Sequence, residues 1–182
     1  SLIGGLARPD QGQVFLAGRD CWAQSDTELA VMRNSAIGFI FQFGSLIPTL
    51  TALENILLPL SFAGVRANER ESLQLARELL EQVGLSDKGN AFPAQLSGGQ
   101  QRRVAIARAF INRPSIILAD EPTGDLDEET EREILKLFRY YNEEVGTTFL
   151  VVTHNSQLTE SQKEPRAFVM KNGRLTETSG RE

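Results

Sequence analysis

The sequence is poor in cysteine, in basic charge and in long apolar runs, and each shortage excludes a class of protein. Cys21 is the one cysteine in 182 residues, which excludes an internal disulfide and fits a reducing compartment. No apolar run approaches the length of a membrane span, and no signal peptide is recognisable. The formal net charge of −5 argues against a broad nucleic-acid-binding face. If the protein works at a membrane, we expect it to do so through a partner.

The residues that are present indicate one folded domain. Apolar residues make up 41% and charged residues 24% of the chain, which is ordinary for a globular protein. Apolar patterns predict strands that alternate with helices, and therefore a mainly parallel sheet flanked by helices. The predicted strands cover 13–17, 36–41, 115–119 and 147–153, the predicted helices cover 27–32, 52–58, 68–83, 98–112 and 128–145, and a hairpin is expected at 167–176. The predicted apolar side of the last helix consists of Ile134, Leu135, Phe138, Tyr141 and Val145.

The stretch LSGGQQRRVAIARAF, residues 96–110, is a glycine-bearing turn that opens into a helix. Ser97 is a good N-cap, and Gly98 and Gly99 leave backbone N–H groups bare at the positive end of the helix dipole. Such a helix start is a binding site for an anion, and phosphate fits it well. An ordinary capped surface helix is the alternative that these residues alone leave open.

The stretch IILADEPTGDLD, residues 116–127, is a buried strand that ends in two carboxylates. In a nucleotide site, Asp120 would hold Mg²⁺, because this ion prefers oxygen ligands. Glu121 would polarise the attacking water or accept a proton from it. A strand that merely meets an acidic turn is the structural alternative.

Two further polar residues follow predicted strands. Gln42 comes directly after the apolar run AIGFIF, and by itself it predicts nothing. His154, the single histidine, follows the strand residues LVVT. A lone histidine at a strand end more often has a structural role than a catalytic one.

The stretch LSGGQQRRVAIARA resembles the signature motif of ABC-type ATPases. The order of the four groups along the chain also resembles the order of motifs in that family. The resemblance implies that Glu121 is the catalytic base, that His154 is the switch histidine on the γ-phosphate, and that Asp120 is the metal-side carboxylate. It implies that Gln42 is the Q-loop glutamine, which senses both the metal and the attacking water. The residues implied to contact nucleotide are Ser97, Gly98, Gly99, Gln100 and, at the end of the D-loop, Asp127.

The same resemblance implies an architecture and a set of partners. The expected fold is that of a P-loop NTPase-like ABC ATPase, one domain over 1–182 with a helical subdomain at about 46–112 and an antiparallel β portion. The expected cofactors are ATP and Mg²⁺. The expected partners are a second, head-to-tail copy of the subunit and transmembrane transporter subunits, without nucleic acid. The protein is then expected on the cytoplasmic face of the cell membrane.

A longer stretch of sequence resembles one subgroup of this family. GFIFQFGSLIPTLTALENILLPL is similar to the ATPases of lipoprotein-releasing and macrolide-export transporters. That subgroup usually carries an aromatic residue followed by Asn or His where this chain has Gly44 and Ser45.

One motif that the family needs does not occur. The pattern G-x-x-x-x-G-K-[ST], which forms the phosphate cradle, is found nowhere in the sequence. We expect that the chain lacks the N-terminal part that carries this loop, and that the polypeptide as given is inactive as an ATPase.

Other ATPases share these motifs. Chromosome-maintenance and DNA-repair members separate the Q-loop from the signature by long coiled-coil arms, whereas 55 residues (97 − 42) separate them here. Translation members generally carry two cassettes in one chain. An ATPase that drives a membrane signalling partner without moving a solute stays open as an alternative.

Overall fold

The computed structural model describes residues 2–42, 46–62, 68–124, 126–154 and 166–178. The chain divides into two compact units, residues 1–152 and residues 153–182. Within the described ranges, no helix combines the length and the apolar character that crossing a membrane requires.

The first unit contains most of the secondary structure. Its strands are β1 (Phe15–Leu16), β2 (Arg19–Asp20), β3 (Ile37–Ile40), β4 (Ile116–Asp120) and β5 (Thr148–Val152). Its helices are α1 (Asp26–Ala36), α2 (Ala52–Leu57), α3 (Glu69–Gln82), α4 (Gly98–Phe110) and α5 (Glu128–Glu143). Short 3-10 turns lie at Cys21–Ala23, Leu58–Phe62, Ser86–Lys88 and Pro93–Gln95. The second unit contains β6 (Ala167–Lys171) and β7 (Arg174–Thr178), which pair antiparallel.

A parallel three-stranded sheet in the order β3-β4-β5 forms the centre of the first unit. Its register pairs Ile40 with Ala119 and Asp120 with Val152, so the three strands end at the same edge. β1 and β2 form a separate antiparallel pair. The predicted fold class, a parallel sheet with flanking helices and an antiparallel portion, is confirmed.

Helix α4 packs directly on β3, and Gly38 makes this close approach possible. A Cβ atom at Gly38 would lie 2.3 Å from the backbone oxygen of Ala109 and 2.5 Å from Cδ1 of Ile117. A side chain of any kind at this position would therefore push the helix away from the strand.

Aromatic rings fill the space between α4, α5 and β5. The ring of Phe110 stacks on that of Tyr141 with centroids 4.1 Å apart, and Phe138 contacts Phe149 at 5.0 Å. Phe110 and Phe138 are fully buried, so these contacts hold α4 and α5 against the sheet.

Some predicted boundaries and faces differ from the structure. The strand expected at 13–17 is shorter, because the chain turns through Ala17 and Gly18 with positive φ and pairs back on itself. The placement of Val145 on the apolar side of its helix is wrong. α5 ends at Glu143 with Glu144 as its C-cap, and Val145 is 53% exposed.

Candidate functional site

Ser97 caps the start of α4 through a reciprocal pair of hydrogen bonds with Gln100. Its hydroxyl oxygen accepts the N–H of Gln100 at 3.2 Å, and the Gln100 side-chain oxygen accepts the N–H of Ser97 at 2.9 Å. The first N–H groups of a helix have no acceptor within it, so those of Gly98 and Gly99 remain as donors. Ser97 and Gly98 are exposed, and this end of the helix has the polarity that attracts an anion.

Two adjacent arginines attach α4 to its neighbours. Arg102, which is only 2% exposed, donates from Nη1 to the backbone carbonyl of Phe41, the residue before Gln42. Arg103 donates from Nη1 to the carbonyl of Val83 at 3.1 Å, at the C-terminal end of α3. Helix α4 thus connects the end of β3 with the end of α3.

Asp120 and Glu121 lie where β4 ends. Asp120 is exposed, and it is the last residue of a strand whose preceding positions are buried or half-buried. Glu121 has a φ of +44°, in the left-handed region that non-glycine residues rarely adopt. Its N–H donates to the carbonyl of Val152 at 2.9 Å, which fixes this unusual backbone to β5. Strain of this kind is concentrated at functional sites.

Thr123 and Asp127 each make hydrogen bonds with the first turns of α5. The hydroxyl of buried Thr123 donates to a Glu131 carboxylate oxygen at 2.8 Å. Asp127 caps α5, since its carboxylate accepts the N–H of Thr130 at 3.0 Å and the Thr130 hydroxyl at 2.8 Å. These bonds, first that from the backbone N–H and then that from the hydroxyl, lower the pKa of Asp127.

Gln42 is exposed just beyond the end of β3, and a buried amide organises the loop at 46–51, which leads into α2. Asn55 is completely buried, and its side chain bonds to the backbone of the loop on both sides. The amide oxygen accepts the N–H of Ile47 at 2.7 Å, and the amide nitrogen donates to the carbonyls of Leu50 at 3.0 Å and Thr51 at 2.9 Å. The position of this loop is therefore fixed from within α2.

The register of the parallel sheet brings Gln42, Asp120 and Glu121 to one edge, beyond the carboxyl ends of β3 and β4. Helix α4 runs antiparallel to β3, since Ala109 lies at Gly38 and Arg102 lies at Phe41. Ser97 is five residues before Arg102 and lies about 7 Å further along the helix, past the same edge. Among the described residues, Ser97 makes no hydrogen bond to Asp120 or Gln42.

His154 belongs to the second unit, where it is exposed two residues after Val152. The D-loop residue Asp125 and the departures at Gly44 and Ser45 lie outside the described residues. The functional roles of His154 and of the other candidate residues stay predictions.

The donor set fits a phosphate-bound magnesium ion better than a metal held by protein alone. Within the part of the chain that the structure describes, no three His, Cys, Asp or Glu side chains are grouped to hold a metal. Mg²⁺ commonly uses one or two carboxylates and takes its other ligands from phosphates and water. An exposed carboxylate at a strand tip, Asp120, suits that role.

Sequence reasoning did not single out Arg102 or Asn55. A signal for Arg102 was available, because Arg102, Ala105, Ile106 and Ala109 share the helical spacing of a buried stripe. A cation at a buried position of such a stripe indicates a specific acceptor. The sequence gives no signal for Asn55, because its partners are backbone N–H and carbonyl groups, which every residue carries.

Comparison with known proteins finds one family and several close relatives. The family model described as "ABC transporter" matches residues 1–124. An uncharacterized ABC transporter ATP-binding protein of Thermotoga maritima is 53% identical over 159 residues, which is 87% of this chain and 67% of that protein. The lipoprotein-releasing system ATP-binding protein LolD of Idiomarina loihiensis is 45% identical over 179 residues, 98% of this chain and 77% of that protein.

The chain covers a smaller share of a relative whose name combines an ATP-binding and a permease part. The macrolide export ATP-binding/permease protein MacB of Rhodopirellula baltica is 46% identical over 177 residues, 97% of this chain but 26% of that protein. Among solved structures, a dimeric bacterial ABC transporter cassette superposes with a TM-score of 0.89 at 43% identity, covering 98% of this chain and 78% of that one. A dimeric ATP-binding cassette with bound ADP and phosphate superposes with a TM-score of 0.88 at 42% identity.

Proposed function

This chain belongs to the ABC transporter family, and we propose that it binds and hydrolyses ATP for a transporter of the lipoprotein-releasing or macrolide-export type. The observation that carries the proposal is the common edge of β3 and β4, where Gln42, Asp120 and Glu121 follow adjacent parallel strands. The names of the relatives support the transport class.

We propose that a second copy of the subunit completes the site, head to tail. Ser97 and Gly98 are exposed at the start of α4, where the first N–H groups have no acceptor within the helix, so they would be available to the terminal phosphate of a nucleotide held by the other copy. Donors that are fixed before the reaction stabilise the charge that develops on that phosphate. The side chains of Gln100 and Asp127 would border the same contact. The dimeric state of the similar cassettes supports this arrangement.

The residues at the strand ends would act on the attacking water. Glu121 would orient the water and accept its proton, and His154 would donate a hydrogen bond to the γ-phosphate. Asp120 and Gln42 would hold Mg²⁺, which when bound neutralises charge on the phosphate oxygens. The fixed backbone of Glu121 supports this role, because a base is effective only when it is held in place.

Membrane partners would dock on the helical part of the first unit. We propose a helical subdomain at about 46–112, with docking on the groove around residues 42–59 and on the helix expected at 68–83. Exposed Phe41 and Phe62 border a groove of about 300 Å³ beside Leu58 and Pro59, which offers apolar surface for such a contact. The protein would then work at the cytoplasmic face of the membrane.

The 182 residues contain no phosphate-cradle motif, so we propose that they are insufficient for hydrolysis. A polypeptide of residues 1–182 alone is expected to release no phosphate from ATP above the buffer background. Turnover by this polypeptide would contradict the proposed need for a P-loop.

Substitution of the proposed base tests the function most directly. In the full-length protein, Glu121→Gln should keep ATP binding and reduce hydrolysis at least about a hundredfold, because the amide cannot accept the proton of the water. Glu129→Gln, at an exposed carboxylate in the first turn of α5, is the matched control and should hydrolyse ATP like the unmodified protein. Undiminished hydrolysis by Glu121→Gln would overturn the assignment of the base.

A further inference from the structure

We propose that Arg102 is a positioning residue, which holds the backbone at Phe41 and Gln42 in a fixed place relative to the helix start at Ser97. The inference rests on the proposed ATPase function, in which Gln42 and Ser97 serve the site. Arg102 acts through Gln42 and is not itself a catalytic residue.

The end of β3 needs an external partner. The ladder between β3 and β4 ends with the pair Ile40 and Ala119, so the carbonyl of Phe41 lies beyond it. Arg102 supplies the donor from α4. Its side chain is 2% exposed, and burial of a guanidinium is costly unless it is hydrogen-bonded, so the bond to Phe41 offsets part of that cost.

Helix α4 is attached to β3 at a second point. The contact of Gly38 with Ala109 lies seven residues, about 10 Å, from Arg102 along the helix. Two attachments on one strand fix both the position and the direction of the helix. Arg103 attaches the same helix to the end of α3. A displacement of α4 would thus reach the backbone at Phe41, directly before Gln42, through the bond of Arg102.

This attachment has a consequence for the chemistry. The side chain of Gln42 must lie within hydrogen-bond distance of its target, and an error of about 1 Å in such placement reduces a rate by up to about a hundredfold. Loss of the Arg102 bond should therefore lower kcat and raise the Mg²⁺ concentration that the reaction requires, while the affinity for the nucleotide itself changes little.

The experiment compares Arg102→Met with Arg102→Lys in the full-length protein. Methionine keeps the length of the apolar stem without a donor, whereas lysine keeps a donor. For Arg102→Met we expect faster amide hydrogen exchange in peptides that cover 37–42. We also expect a kcat about tenfold lower and a severalfold higher Mg²⁺ concentration at half-maximal rate. The Kd for ATP should stay within about twofold of that of the unmodified protein. Arg102→Lys should restore most of the exchange protection and of kcat.

Arg33→Met is the matched control. Arg33 also donates from Nη1 to a backbone carbonyl, that of Gly5 at 2.8 Å, and neither residue belongs to the proposed site. This variant should lose stability without changing exchange at 37–42, kcat or the Mg²⁺ dependence.

The outcomes separate the two proposals. Unchanged exchange at 37–42 in Arg102→Met, or the same changes in Arg33→Met, would overturn the positioning role. An unmodified protein that hydrolyses no ATP would overturn the proposed function, while altered exchange in Arg102→Met would still support the attachment of α4 to Phe41.

Discussion

The backbone N–H of Glu121 donates to the carbonyl of Val152 at 2.9 Å while Glu121 itself is held at a φ of +44°. In parallel pairing the residue after a paired one donates its N–H to the partner's carbonyl, so this bond belongs to the pair of Asp120 with Val152 at the end of β4. The chain therefore leaves the sheet through a left-handed turn at the residue proposed as the catalytic base. The left-handed backbone is unfavourable for an L-residue, so placing the Glu121 carboxylate at the end of β4 reduces the stability of the fold.

The left-handed backbone at Glu121 predicts that glycine at this position gives a more stable but inactive protein. Left-handed backbone costs an L-residue about 1–2 kcal/mol that glycine does not incur. Glu121→Gly should therefore unfold with a free energy at least about 1 kcal/mol higher than Glu121→Ala, measured by urea denaturation. Both variants should lack hydrolysis. Equal stability of the two variants would mean that the turn is unstrained.

A second prediction concerns the contact between α4 and β3. Gly38→Ala should lower the free energy of unfolding by about 1–3 kcal/mol, because its Cβ would meet backbone of α4 that cannot rotate away. Gly98→Ala is the control, since a Cβ there has nothing within 4 Å, and it should leave stability unchanged or slightly raised. Tolerance of Gly38→Ala would show that the helix can move off the strand.

A third prediction follows from the helix cap at Asp127. Hydrogen bonds from the N–H and hydroxyl of Thr130 depress the pKa of this carboxyl in the folded protein. Its contribution to stability is therefore complete above the unfolded pKa of about 3.9 and is lost as the pH falls through the lower folded pKa. Asp127→Asn, which still accepts a hydrogen bond but does not titrate, should lack this part of the acid destabilisation.

The measurement is urea denaturation of the unmodified protein and of Asp127→Asn at a series of pH values. The stability difference between them should be constant from pH 7 to about pH 5 and should shift toward the variant at lower pH. Parallel curves down to pH 2 would show that the cap does not favour the ionised carboxyl.

The sequence by itself predicted the order of strands and helices, the parallel sheet and the capped start of α4. These features depend on local signals: the spacing of apolar residues, N-cap residues, and the glycines and prolines that end helices and strands. Each of these signals is contained within a short stretch of sequence. The same holds for Asp120 and Glu121 at a strand end, although the roles of the site residues remain to be tested.

The tertiary structure decided what depends on groups far apart in the chain. The left-handed backbone of Glu121 is fixed by its bond to the carbonyl of Val152, 31 residues away (152 − 121) at the end of β5. The helical spacing marks Arg102 as a buried position, but only the packed structure shows that its acceptor is the carbonyl of Phe41 at the end of β3. The identity of an acceptor 61 residues away cannot be read from neighbouring residues, because only packing of the helix on the strand brings the two groups together.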